Sequence, residues 1–336
     1  MNSNEKDIVK KDSRLEFSAW IPLFAGATYG ILMRILFEMS SFSDKDLEVM
    51  TFAFIIIVPI AVGVVTVVFA EAKKSHGFLY FIFAPWASIT IFVLGTAISL
   101  LEGLICIAMA FPLFLVLGSF GGLVAGIVTR YTIHRKSIVT CVGVLPILVG
   151  FYEAGEPMSN IYAEISRDIY IEASPNTVWH QINYPTNIKP KELKNGFAYK
   201  IGVPYPIEAR TLEERVGGMR NLIWQRGITF REEITAWEEN RYIAWNYIFD
   251  KNSFPPGSMD DHVVIGGKYF DLRETSYTLI PTGKGTLLVL KVGYRVSTSF
   301  NWYSQFWGDF LIADTAETIL EFYRNRSEAS IRNLSK

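Results

Sequence analysis

Hydrophobic and polar positions divide this chain into two parts near Tyr152. Before that point, long apolar runs alternate with short polar connections. After it, apolar residues recur at every second position, or at every third to fourth. The long runs cover 18–37, 51–70, 78–100 and 104–129. Each is close to the 20 or so apolar residues needed to cross about 30 Å of hydrocarbon. A fifth run, 138–152, is shorter and holds Pro146. We read it as a fifth span, with an interfacial segment as the alternative. Residues 1–16 are polar, and no small-residue cleavage site follows them, so they are expected to be a retained tail rather than a signal peptide. The expectation for 17–152 is an all-α transmembrane bundle of four to five helices.

Residues 153–160 form a short polar linker, and a soluble domain is expected over 161–328 with a tail at 329–336. Arg167 to Ala173 alternates like a strand, with Ile169 and Ile171 on one face. Ser174-Pro175 then reads as a helix start, a capping hydroxyl followed by proline at the first helical position. Residues 184–206 hold four prolines and read as a loop. Six strand-like segments follow, over 207–215, 219–226, 228–238, 242–249, 268–280 and 286–298. Turn residues separate them, at Gly217-Gly218, Gly227, Glu239-Asn240 and Gly283. The break at 250–267 reads as a flexible loop. Last comes a helix over 302–326, with one apolar line through Phe306, Phe310, Ala313, Leu320 and Tyr323 and a second through Trp307, Leu311, Ile319 and Phe322. This order predicts an α+β fold, a curved antiparallel sheet wrapped around the long C-terminal helix with a cavity between them.

Charge adds orientation. Basic residues in the N-terminal tail, at Lys73-Lys74 and at Arg130, Arg135 and Lys136 alternate with acidic connections holding Asp44, Asp46, Glu48 and Glu102. Basic loops face the cytoplasm, so the N-terminus is expected inside. Five spans then place the soluble domain outside the cytoplasm; without the fifth, it is cytoplasmic. Arg34 and Glu102 near span ends are expected to reach the surface rather than to mark a transport path. The run Gly118, Gly121, Gly122 and Gly126 is expected to pack helices together. A formal net charge of −1 without a basic tract gives no case for nucleic acid. Cys106 and Cys141 lie in apolar runs and match no metal or disulfide spacing.

Three segments carry a family resemblance. "IYIEASPNTVWHQI" resembles the first strand and helix of the START-like helix-grip superfamily, the polyketide cyclase/dehydrase and lipid-transport group. "FREEITAWEENRYIAWNY" resembles its paired middle strands, and "FWGDFLIADTAETILEFYRNR" its grip helix. The stretch from Gly202 to Arg241 is similar to bacterial members in which this domain follows several transmembrane helices. The resemblance covers about 166–328. It implies a helix-grip fold, and functions that range from lipid carriage to cyclisation.

The chemistry-bearing motifs are mostly absent. There is no Gly-rich phosphate loop, no His-Glu-x-x-His and no Gly-x-Ser-x-Gly. Neither metal nor cofactor is expected. His76 and His134 fall in loops, and His180 on the first short helix of the domain. Asp260-Asp261-His262 could bind a metal or relay a proton, although a solvated loop is the plainer reading. Aromatic content argues for an apolar pocket. The candidate lining is Trp224, Trp245, Tyr247, Phe270, Arg273, Tyr294, Phe306, Phe310 and Asp314. The expected function is a membrane-anchored binding domain for a lipid or other hydrophobic molecule, so the expected partners are the bilayer and that molecule. The alternatives are a cyclase- or dehydratase-type enzyme and a regulatory domain for a small transporter or sensor. For the enzyme, Asp309, Asp314, Tyr294 and Arg273 are the residues to inspect.

Overall fold

The computed structural model describes residues 3–39, 47–71, 76–131, 135–193 and 195–334. Asp44, Asp46, Lys73 and Lys74, which entered the charge argument, and the loop histidine His134 lie outside them. The chain forms two compact units, residues 1–157 and 158–336.

The first unit is helical: α1 (Ser3–Met39), a π-helical turn at Ala53–Ile57 leading into α2 (Val58–Glu71), α3 (Phe78–Ile98), α4 (Leu104–Tyr131) and α5 (Arg135–Glu153). The polar start read as a tail therefore belongs to α1. Among the described residues, four helices are long and apolar enough to cross a membrane, and the apolar part of α5, Val139–Glu153, is shorter than those. The glycine run does pack helices: a Cβ on Gly121 would lie 2.1 Å from the Ile60 carbonyl oxygen, and one on Gly122 2.2 Å from that of Phe81. Arg34 departs from expectation. It does not reach outward but is 2% exposed, bonded from Nε to Glu102 at 2.6 Å, from Nη1 to Glu38 at 2.5 Å and from Nη2 to the Leu101 carbonyl at 2.7 Å. Two charges read as separate surface groups form one buried network, because each satisfies the other's desolvation cost. Helix α5 runs antiparallel to α2. Val139 and Val142 near its start pack against Val64, Val67 and Val68 at the end of α2. At its own end, the Glu153 carboxylate accepts the N–H groups of Phe52 at 3.1 Å and Ala53 at 2.8 Å, where α2 begins.

The second unit holds β1 (Asn160–Ile171), α6 (Pro175–Asn183), a 3₁₀ turn at Pro190–Glu192, α7 (Phe197–Lys200), β2 (Pro206–Thr211), β3 (Met219–Trp224), β4 (Thr229–Glu238), β5 (Tyr242–Ile248), β6 (Phe270–Thr282), β7 (Gly285–Ser297) and α8 (Asn301–Leu334). Ser174 caps α6, its Oγ accepting the Thr177 N–H at 3.3 Å. Among the described residues, the strands form one antiparallel sheet in the order β1-β7-β6-β5-β4-β3-β2. The β4–β5 and β6–β7 turns place Asn240 and Gly283 at φ of 61° and 58°, the left-handed region those residues tolerate best. Against expectation, β1 begins at Asn160, inside the linker, and the 184–206 stretch contains two short helical turns. Helix α8 extends to Leu334, into the residues read as a tail.

Helix α8 packs on β1, β7, α6 and α7, and Ile312, Ala316, Leu320, Phe322 and Tyr323 join the core with Ile171, Ile182, Leu288 and Leu290. Arg326 ties the 184–206 connection to α8 through two bonds to Glu192, at 2.9 and 3.1 Å, and one to the Thr186 carbonyl at 2.9 Å. These bonds hold the Glu192 carboxyl below its usual range. A curved antiparallel sheet closed by one long C-terminal helix is the helix-grip fold, behind a bundle of apolar helices.

Candidate functional site

Strand alternation carries charge onto the inner face of the sheet. In β3, Arg220 and Leu222 are buried while Asn221 and Ile223 are exposed. In β4, Phe230, Glu232 and Ile234 are buried. Register lines up Thr211, Arg220, Glu232 and Tyr247 across β2 to β5. Arg220 and Glu232, each 2% exposed, form an ion pair at 2.7 Å. The guanidinium also donates to Thr211 Oγ1 at 3.2 Å and to the Ile182 carbonyl at 2.8 Å, and lies 3.9 Å above the Trp245 ring. Burial pushes the Glu232 carboxyl up to about 7, with Arg220 pulling against it. Burial is the larger influence because a single cation does not replace the lost hydration of a carboxylate.

At Tyr247 this row meets a cleft. Strands β5 and β6 pair only from Tyr242 to Trp245 against Thr275 to Thr278. Past that point a bulge between Leu272 and Thr275 shifts β6, and the two strands part. The gap is a pocket of about 380 Å³ lined by Asn246, Tyr247, Phe249, Gly266, Asp271, Leu272 and Arg273, a size suited to a small organic ligand. The Tyr247 hydroxyl shares a hydrogen bond with Thr275 Oγ1 at 2.8 Å, and burial raises its pKa. Beside it, the Phe230 ring lies 5.3 Å from Trp224 and 5.4 Å from Phe249, and the Phe249 ring 5.5 Å from Phe254. Gly266, at φ 76°, sits where a Cβ would lie 2.6 Å from the Phe249 ring, so the rim admits no side chain there. Arg295 fixes that rim, donating to the Gly267 carbonyl at 2.7 Å and the Lys268 carbonyl at 3.0 Å. Burial also raises the Asp271 carboxyl, against the pull of Arg295 and Arg273. The result is a mixed cleft, in which the rings of Tyr247 and Phe249 and the Leu272 side chain stand among an amide, a carboxyl and a guanidinium.

The candidate residues separate accordingly. Tyr247 and Arg273 line the cleft, and Trp224 joins the rings beside it. Trp245 is buried beneath Arg220. Phe270 packs against Tyr294, ring centres 6.2 Å apart. Tyr294 is fully buried, and its hydroxyl donates to Asp309 Oδ1 at 2.5 Å. Burial, reinforced by that carboxylate, raises the Tyr294 pKa. It fastens β7 to α8. Asp314 accepts the Ala198 N–H at 2.8 Å and so positions α7. Phe306 and Phe310 do not line a cavity: they are 60% and 44% exposed, because the inner line of α8 runs through Gly308 and Ile312. Asp261–Val263 forms a 3₁₀ turn. Among the described residues of this unit, no three His, Cys, Asp or Glu ligand atoms converge. Sequence reasoning missed Arg220, Glu232, Leu272 and Phe249 as site residues. The period-two placement of Arg220 with Leu222, and of Glu232 between Phe230 and Ile234, was the available signal. The bulge had none, and it puts Phe270 and Leu272 with Tyr277 in the core, where strict alternation separates them.

No family model and no curated relative matches the sequence. Among solved structures, the chain is similar to a Thermus thermophilus protein at 19% identity, over 50% of this chain and 99% of that one, with a TM-score of 0.32. It is similar to truncated norcoclaurine synthase from Thalictrum flavum at 15% identity, over 49% and 96%, with a TM-score of 0.29. The Zhui aromatase/cyclase from Streptomyces sp. R1128 is similar at 13% identity, over 51% and 96%, with a TM-score of 0.32.

Proposed function

We propose that this chain is an integral membrane protein whose helix-grip domain binds a lipid or other hydrophobic molecule in the β5–β6 cleft, in lipid transport or sensing. The observation that carries this is the 380 Å³ pocket, in which Tyr247, Phe249 and Leu272, backed by further rings, stand beside the polar Asn246, Asp271 and Arg273. Rings would hold the apolar body, and Asp271, Arg273 and Tyr247 a polar end. Native mass spectrometry of residues 158–336 with a bacterial lipid extract tests it: retention of one lipid class, lost in Leu272→Trp, supports the reading, and an empty folded protein contradicts it. In this reading the N-terminus is cytoplasmic. The antiparallel course of α5 along the length of α2 favours five crossings, which puts the domain outside the cytoplasm.

A second reading, an acid–base enzyme of the cyclase or dehydratase type, has one observation in its favour. A carboxyl raised to about 7, Glu232, pairs across strands with Tyr247. If this reading holds, Glu232→Gln abolishes turnover of a bound hydrophobic substrate without loss of binding.

A further inference from the structure

One helix face is left uncovered in the soluble unit. Trp302, Phe306 and Phe310 recur every fourth residue along the start of α8 and are 64%, 60% and 44% exposed. Phe197 of α7, 36% exposed, extends the patch, its ring 5.5 Å from that of Phe310. Contiguous exposed rings of this kind mark a surface that something else covers.

The chain's connectivity says what covers it. Asn301, the first residue of α8, donates from Nδ2 to the Ser159 carbonyl at 2.7 Å and to Ser159 Oγ at 3.0 Å. Ser159 is the last residue before β1, and six peptide links join it to Glu153 at the end of α5. Fully extended, those links reach about 22 Å. The start of α8 is thus fastened to the short tether that leaves the apolar helices. Further along, the same outward line turns acidic at Glu317 and Glu321, so the rings are confined to the tethered end. Tryptophan concentrates at membrane–water interfaces, and helix faces built of Trp and Phe lie in the headgroup region of a bilayer.

We propose that Trp302, Phe306 and Phe310 dock the domain on the headgroup region of the bilayer that holds its own helices. This rests on the membrane reading above. It gives the tethered domain a fixed edge against lipid, where a bilayer-soluble molecule is collected or delivered.

Tryptophan quenching by brominated acyl chains tests it on the full chain in phosphatidylcholine–phosphatidylglycerol nanodiscs. In Trp20→Phe/Trp86→Phe, every remaining tryptophan lies in the soluble unit. Docking predicts that bromolipid quenches part of this emission, and that adding Trp302→Phe or the pair Phe306→Ser/Phe310→Ser abolishes the quenched part. A chain carrying Trp302→Phe but keeping Trp20 and Trp86 reports insertion separately. If that chain is quenched and the Trp20→Phe/Trp86→Phe chain is not, docking fails while membrane insertion stands. The face would then be covered by the helices of this chain or by a second copy. If neither is quenched, the membrane reading itself fails, and docking with it.

Discussion

The two halves of α8 use the same kinds of residue differently. From Ile312 to Tyr323 the inner line of Ile312, Ala316, Leu320 and Tyr323 is buried in the core, and the outer line is charged. From Trp302 to Phe310 the inner line narrows to Gly308, whose missing side chain leaves room for Tyr294, since a Cβ there would lie 2.8 Å from its ring. The large rings stand on the outer line instead. The first arrangement is a core-facing helix; the second has a face that its own domain covers only at Phe310, where Phe197 of α7 meets it. Apolar content alone does not say which face of a helix a domain buries.

The core half of α8 lies near a buried charge, and the largest effect is expected there. Arg220→Met leaves Glu232 buried without its partner and is expected to cost about 3–5 kcal/mol in urea unfolding. The pH profile shows the same site. Glu232 titrates at about 7 when folded and near 4.3 unfolded. Because the folded value is raised, the stabilising contribution is full below about 4.3 and is lost as pH rises to about 7. Unfolding of the 158–336 unit across that window is expected to show this slope, and Glu232→Gln to flatten it. Leu320→Ala, at a position 1% exposed, should cost about 3 kcal/mol. Tyr294→Phe removes one hydrogen bond, to Asp309, and is expected to cost about 1 kcal/mol. Phe306→Ser, on the uncovered face, should change stability by less than about 0.5 kcal/mol. A loss comparable to that of Leu320→Ala would mean that the face is covered within the domain.

Much of the fold was legible because local signals agreed with it. Ser174-Pro175 marked α6, turn residues separated β2 to β7, and the long periodic stretch marked α8. The boundaries failed where polar residues continued an element, as at Ser3 in α1, at Asn160 in β1 and over Ser327 to Asn333 in α8. Less of the site was legible. Tyr247, Trp224 and Arg273 were picked out by residue type. The cleft between them depends on a one-residue shift in β6 pairing, which leaves no mark on composition. Arg34 and Glu102 lie on different elements 68 positions apart, and only the packed structure brings them together; Arg220 and Glu232 meet through the β3–β4 hairpin register, which alternation alone does not set.

The central claim is that an apolar molecule enters the β5–β6 cleft, rather than merely wetting the aromatic face of α8. Photo-crosslinking of the full chain with a diazirine-bearing fatty alcohol, followed by peptide mapping, separates the two most directly. Labelled peptides are expected to contain Tyr247, Phe249 or Leu272, with labelling lost in Leu272→Trp. Labelling confined to the Trp302–Phe310 segment would contradict it.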